Sequence, residues 1–299
     1  MKKTIFEIST NQIIIKNKFI RSYVHIYPIL RFLSRFTRVL GFDFSLCRYQ
    51  SMISFYSLKE DKKLYPSKQK GDLINIGAGG FRHEKWINYD FPAQSDFYKK
   101  IQGKMYKDFF PIDLNEKFLQ LNSKKIEACY LSHTLEHLPR KNTLKVIEFI
   151  YKNLVNGGII RIVLPDIDKL YKNLKINKKD YYEDNLFKLT NKIFGKITKD
   201  NFNFDEIDAI FISSETSVSF YKKLLLKWPD LEIPISSHPE YHLSCWNNEF
   251  ILANIKSLPY FKNCLILERN KSQFKPFCNS AVFDITEPQD SIYLEIMKF

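Results

Sequence analysis

Glycine is scarce in this chain, with nine residues in 299. Collagen-like and glycine-rich disordered classes are excluded on that count alone. Five cysteines, at positions 47, 129, 245, 264 and 278, form no C-x-x-C pair. Neither a zinc ribbon nor a disulfide framework is indicated, and a reducing, cytoplasmic compartment is the simpler reading. No run of about 18 uncharged apolar residues occurs, so no transmembrane helix is expected. Met1-Lys2-Lys3 has the basic start of a leader, but Glu7, Lys16, Lys18 and Arg21 break any apolar run and no small-residue cleavage site follows.

Hydrophobic residues make up 44% of the chain and charged residues 26%, ordinary values for a globular protein. At this length roughly three quarters of the unfolded surface can be buried, so a core forms without metal or disulfide staples. The net charge of +13 is unevenly placed: residues 1–70 hold fourteen Lys and Arg against four Asp and Glu, or +10 of the total. Within that segment, Ile29, Leu30, Phe32, Leu33, Phe36, Val39 and Leu40 share one helical face, and Arg31, Arg35 and Arg38 lie opposite. Pro28 suits the first turn and Gly41 the stop. Two readings of this basic amphipathic helix stand. Its apolar face packs on the main domain with the arginines in water, or residues 19–41 lie on anionic lipid at the inner face of a membrane. No nucleic-acid-binding motif accompanies the charge, so no nucleic-acid partner is expected.

The polar stretch 56–70, punctuated by Pro66, reads as a linker between a helical extension, 1–70, and a main domain, 71–299. From Asp72 onward short apolar runs alternate with helical stretches, which points to an α/β fold. The runs are 73–76, 86–89, 126–131, 159–164, 265–268 and 291–296. A helix is predicted over 141–154, stopped by Asn156-Gly157-Gly158, and another over 248–258. Between them lies a Lys- and Asn-rich, mostly helical insertion, 167–240.

Three of the nine glycines fall within four residues, Gly77-Ala78-Gly79-Gly80, directly after the first apolar run of the main domain. A glycine-rich turn at the C-terminal end of a first strand lets backbone approach a ligand in the crevice of an open α/β sheet. Asp90 ends the next strand, where an acid can accept both hydroxyls of a ribose. A dinucleotide fingerprint needs about 20 residues and a full helix between these features, whereas Asp90 lies 13 residues after Gly77 and Arg82 stands where a third glycine belongs. A nicotinamide-dependent oxidoreductase is therefore the disfavoured enzyme reading.

Asn75-Ile76-Gly77-Ala78-Gly79-Gly80 followed by Trp86-Ile87-Asn88-Tyr89-Asp90 resembles the first two motifs of class I S-adenosylmethionine-dependent methyltransferases. Three more stretches agree: Pro111-Ile112-Asp113-Leu114, Ser132-His133-Thr134-Leu135-Glu136-His137-Leu138, and Gly157-Gly158-Ile159-Ile160-Arg161-Ile162. The resemblance implies a Rossmann-like, doubly wound, mostly parallel seven-stranded sheet that binds S-adenosylmethionine. It implies that Gly77, Ala78 and Gly79 line the methionine end, Asp90 holds the ribose, Asp113 and the Leu114 backbone hold adenine, and Ser132 approaches the methionine amino group. Leu164-Pro165-Asp166 and Ser291-Ile292-Tyr293-Leu294-Glu295 are similar to a subgroup serving surface-polysaccharide biosynthesis, which implies a glycan or glycan-precursor acceptor. Ala78 stands where the family often has Cys, and the insertion is unmatched.

Methyl transfer from a sulfonium needs alignment above all, and a base only for a hydroxyl or cationic amine acceptor. His133, just beyond a strand end, is the candidate base, while Glu136 and His137 read as hydrogen bonders that fix the loop. His25 and His83 lie away from the crevice rim. The pairs His133/His137 and His238/His242 have a metal-like spacing of four, but neither carries the Glu of H-E-x-x-H and the second carries Pro239, so no metal is expected. The stretch 238–246 reads either as a lid or acceptor wall of stacking aromatics or as a plain packed loop. A non-catalytic scaffold at the membrane surface is the alternative from another class; the intact glycine turn and its acids argue against it.

Overall fold

The computed structural model describes residues 5–9, 12–16, 27–47, 52–93, 95–176, 186–187, 189–190, 202–227, 242–256, 258 and 262–299. The main domain is a seven-stranded α/β sheet of β5 (Asp72–Ile76), β6 (Trp86–Asp90), β7 (Phe110–Pro111), β8 (Ile126–Ser132), β9 (Leu154–Pro165), β10 (Cys264–Leu267) and β11 (Ser291–Met297). The spatial order is β10-β11-β9-β8-β5-β6-β7, with β9-β8-β5-β6-β7 parallel and β10 and β11 antiparallel at one edge. From β5 the chain first builds outward through β6 and β7, then returns to build the other way through β8 and β9. The C-terminal ends of β5 and β8 thus flank the point where the winding reverses, the place where such sheets bind ligands.

The expected strands are all present. β9 is longer than its apolar run, because α4 (Arg140–Asn153) ends at once on Leu154. Gly157 and Gly158, expected to stop that helix, sit inside the strand. Opposite β8, Ile126 pairs with Leu154 and Ala128 with Ile159, so the intervening residues of β9 bulge out. Gly157 has φ +78° there, and a Cβ on Gly158 would lie 2.8 Å from the Val155 carbonyl oxygen.

One face of the sheet is covered by α4 together with Asn248–Lys256, and Ile74, Ile160, Val146, Ile147, Ile251 and Ile255 are buried between them. The other face is aromatic: Tyr130, Trp86, Phe277, Phe283 and Tyr293 pack over Leu73, Ala128, Ile159 and Val163. The insertion has its own small core, with α5 (Ile167–Ile176), α6 (Phe204–Ile212) and α7 (Ser217–Lys227) contributing Tyr171, Phe211, Phe220 and Leu224. Asn248–Lys256 is α8.

The N-terminal 70 residues depart from expectation. They hold the predicted helix, α1 (Tyr27–Val39), but also a four-stranded antiparallel sheet, β1 (Ile5–Ser9), β2 (Gln12–Lys16), β3 (Phe42–Cys47) and β4 (Met52–Ser57), in the order β1-β2-β4-β3. The residues expected to form a linker instead complete β4 and form α2 (Leu58–Leu64), whose N-cap Ser57 accepts from the Glu60 amide. Tyr56 and Tyr65 are buried in the aromatic core, and Asn279 Nδ2 donates to Asp61 Oδ1 at 2.7 Å. A polar stretch whose two tyrosines are buried is an element of the fold.

The orientation of α1 also inverts the packed reading. Arg31 reaches Asp108 at 3.8 Å and Arg38 reaches Asp43 at 2.6 Å, while Ile29, Phe32, Leu33, Phe36, Val39 and Leu40 are exposed. The arginines find acids, and the apolar stripe faces outward. No helix among the described residues is long and apolar enough to cross a membrane.

Arg161, fully buried in β9, binds Asp284 at 2.5 Å and Glu295 at 3.2 Å, both also buried. Replacing Arg161 by Met would leave two carboxylates buried without a counter-charge. We expect a loss of about 3–5 kcal/mol, measurable as a lowered urea midpoint in equilibrium unfolding.

Candidate functional site

The glycine turn begins where β5 ends. The amides of Gly77 and Ala78 both donate to the Tyr89 carbonyl, at 2.9 and 3.2 Å, which folds the turn over the end of β6. Gly77 has φ +73° and Gly79 has φ +48°. The Gly79 amide donates to Asp90 Oδ2 at 2.7 Å, and the Phe91 amide to Oδ1 at 2.9 Å. The turn and the acid, inferred separately, are thus in direct contact. Burial pushes the Asp90 carboxyl above its ordinary pKa, against the opposing pull of Gln102, the two amides and Arg82. The Ile112 amide donates to the Asp90 carbonyl at 2.9 Å and so sets Asp113 beside this pair. Asp113 caps its own loop, accepting from the Asn115 amide at 2.9 Å, and Leu114 packs against the core.

Across the reversal point, β8 delivers Ser132, His133 and Thr134. Thr134 donates to the Ile76 carbonyl at 3.2 Å and fills the space into which a Cβ on Gly77 would project. Ser132 Oγ is buried near the Tyr130 hydroxyl but makes no hydrogen bond of good geometry. His133 adopts φ +51°, rare for a side chain without a local hydrogen-bonding use. Its amide donates to the Val163 carbonyl, Nε2 lies 3.1 Å from Ser291 Oγ, and Nδ1 lies 3.3 Å from Glu136 Oε1. Both ring nitrogens therefore have neighbours on the protein. Burial opposes ionisation of Glu136, but His133, His137 and His242 outweigh it and hold the carboxyl down at about 2.

Three outcomes went beyond the motifs. Arg82, which sequence reasoning used only to reject a dinucleotide fingerprint, braces the turn: it bonds the carbonyls of Gly79, Phe81 and Gln102 and lies 3.4 Å from Asp108. Its position just after the glycines was the available signal. Thr134 was passed over inside a motif, although it closes the turn. Trp246, in the stretch read as an acceptor wall or a packed loop, is fully buried, with its indole donating to Ser244 Oγ at 3.0 Å; an apolar ring next to the core loses more by facing water than it gains by waiting for a sugar. His238 and Tyr241 of the same stretch lie outside the described residues. His83 is buried against Asp61 at 2.8 Å.

No family model matches the chain, and no curated protein matches it. Among solved structures it is similar to the plantazolicin methyltransferase BpumL in complex with SAH, with 11% identity over 94% of this chain and 95% of that one and a TM-score of 0.39. It is also similar to an S-adenosylmethionine-dependent methyltransferase from Mesorhizobium loti, at 8% identity, 81% and 97% coverage and a TM-score of 0.36. The CurJ carbon methyltransferase matches at 12% identity over 80% of this chain, with a TM-score of 0.38. The chain spans about half the length of CurJ and of PKMT2 from Rickettsia typhi. At such identities and scores the functional reading rests on this chain's own residues.

The two left-handed glycines should respond differently to alanine. At Gly79 nothing lies within 4 Å of a new Cβ, so Gly79→Ala should cost only the backbone term, about 1–2 kcal/mol. Gly77→Ala adds a collision with Thr134 and should cost more. Urea unfolding of the two variants side by side measures the difference.

Proposed function

We propose that the chain transfers a methyl group from S-adenosylmethionine to a hydroxyl or amine of a glycan or glycan precursor. The hydrogen bond between Gly79 and Asp90 at the winding reversal carries the cofactor half of this reading. The residues present fit the group. Asp90 accepts two backbone amides and is also approached by the Gln102 side chain, and a carboxylate has about four lone-pair sites, so acceptor capacity remains for a ribose hydroxyl. Open space borders Gly79, and the poorly bonded Ser132 Oγ stands at the end of the neighbouring strand.

In this role Gly77, Ala78 and Gly79 present backbone to the methionine end, Asp90 binds the ribose, Asp113 with the Leu114 amide binds adenine, and Ser132 binds the amino group. Bound there, the sulfonium would supply an activated methyl carbon to an acceptor lone pair, its sulfur keeping the electron pair of the C–S bond. The chain's own task is alignment and exclusion of water, with His133 taking the acceptor proton once it parts from Ser291. The glycan half is supported by the two stretches of subgroup resemblance, which lie side by side. Ser291 pairs with Pro165, and Ser291 Oγ lies 3.1 Å from His133 Nε2.

Isothermal titration with S-adenosylhomocysteine tests the cofactor. Binding is expected, weakened at least about tenfold by Asp90→Ala, a loss of about 1.4 kcal/mol; no heat up to millimolar ligand would overturn the reading. Mass spectrometry of surface glycans from cells with and without the gene tests the acceptor.

We infer from the outward stripe of α1 that the chain rests on an anionic lipid surface through residues 19–41, of which 19–26 lie outside the described residues. Exposed apolar side chains on a segment with a large positive charge match such a surface in both chemistry and sign. The full-length chain should float with anionic vesicles and not with neutral ones, and Phe32→Asp/Phe36→Asp should abolish flotation. Identical behaviour of wild type and double variant would retire the idea.

A further inference from the structure

We propose that Glu136, His137 and His242 form a binding site for a divalent metal, zinc by the chemistry of its donors. One ligand atom from each residue lies within 4.8 Å of the other two. The sequence contains two histidine pairs at a spacing of four, and neither pair makes the site alone. The fold takes one histidine from each and adds the glutamate beside the first.

Three observations converge. Glu136 is 1% exposed, yet neither of its carboxylate oxygens has a hydrogen bond of good geometry. Buried carboxylates are paired, hydrogen-bonded or coordinated to metal, and this one, already 3.3 Å from His133 Nδ1, also faces the imidazoles of His137 and His242. The rings of His137 and His242 meet edge to face with centroids 4.9 Å apart. Finally, His242 is held in place from next door: the amides of Leu243 and Ser244 both donate to the Glu136 carbonyl, at 2.7 and 3.1 Å. The ligands thus come from two segments already joined by backbone bonds.

Two imidazoles and one carboxylate are a zinc donor set with a fourth position left for water or a further ligand. Ligand atoms about 2.1 Å from zinc in a tetrahedron stand roughly 3.4 Å apart, so small side-chain rotations close the set on the ion. His133 Nδ1, 3.3 Å from Glu136 Oε1, is the nearest further donor. The ion would staple the chain leaving the insertion onto the loop after β8, next to the proposed methyl-transfer site. The inference does not rest on that reaction.

The test uses the full-length chain, stripped with a chelator, dialysed, and titrated with zinc against a chromogenic competitor. About one zinc per chain should bind, and cobalt in its place should give the visible absorption of a tetrahedral nitrogen and oxygen site. His242→Ala, a partly exposed position whose removal spares the core, should bind zinc roughly a hundredfold more weakly, and Glu136→Gln likewise. Should Glu136→Gln fail to fold, His242→Ala decides alone. Uptake below about a tenth of an equivalent by wild type, or equal affinity in wild type and His242→Ala, would overturn the site. Failure to bind S-adenosylhomocysteine would leave it untouched.

Discussion

A single buried guanidinium organises this molecule. Arg161 sits in the middle of β9 on the aromatic face, where burial works against its charge; Asp284 and Glu295 more than restore it, and its pKa ends above the ordinary arginine value. A buried charge is tolerated only when its partners arrive with it, and here they come from the connection between β10 and β11 and from β11 itself. Arg161 also donates to the Lys271 carbonyl at 3.1 Å. The Asp284 amide donates to the Tyr130 hydroxyl on β8 at 2.8 Å, so the ion ties three strands and the 268–284 excursion together. That excursion supplies Phe277 and Phe283, against which Tyr56, Tyr65 and Trp86 pack. Tyr56 of β4 and Tyr65 after α2 thus pack on the face that the Arg161 ion group holds together.

The same constraint reaches the site. β9 is held straight beside β8 up to Val163, whose carbonyl fixes the His133 amide, and the left-handed turn at His133 then sends Thr134 back over Gly77. The crevice at the winding reversal is thus shaped by backbone hydrogen bonds, by Thr134 and by the side chains of Asp90 and Arg82 that hold the glycine turn. Preorganisation of this kind suits a reaction whose barrier falls mainly through alignment.

How legible this was in the sequence depends on what each element relies upon. Strands β5, β6, β8 and β11 and helix α4 announce themselves because they are short or amphipathic and buried through local pattern. The glycine turn was legible because glycine is so scarce elsewhere, and Asp90 because it ends a strand. The N-terminal sheet was missed, although Phe42, Phe44 and Leu46 alternate with Asp43 and Ser45, since a neighbouring helical signal dominated the segment. The stretch 56–70 looked like a linker because its anchors, Tyr56, Asp61 and Tyr65, meet partners such as Phe277 and Asn279 that are more than 200 residues away. The outward face of α1 was hidden for the same reason: it depends on Asp108, far along the chain. At Trp246 the sequence left a wall and a packed loop equally open, because aromatic content says nothing about which side of a loop faces the core. Glu136 and His242 could not be paired from spacing at all.

Asp108 carries one more implication. Its Oδ1 faces Arg31 of α1 at 3.8 Å and Arg82 of the glycine turn at 3.4 Å. One carboxylate is the common counter-ion of two guanidiniums from different parts of the chain, the outer helix and the glycine turn. Charge lost or gained at the helix is therefore felt electrostatically at the floor of the crevice. The outer helix and the glycine turn thus share one counter-ion, and a change of charge at either alters the field at the other.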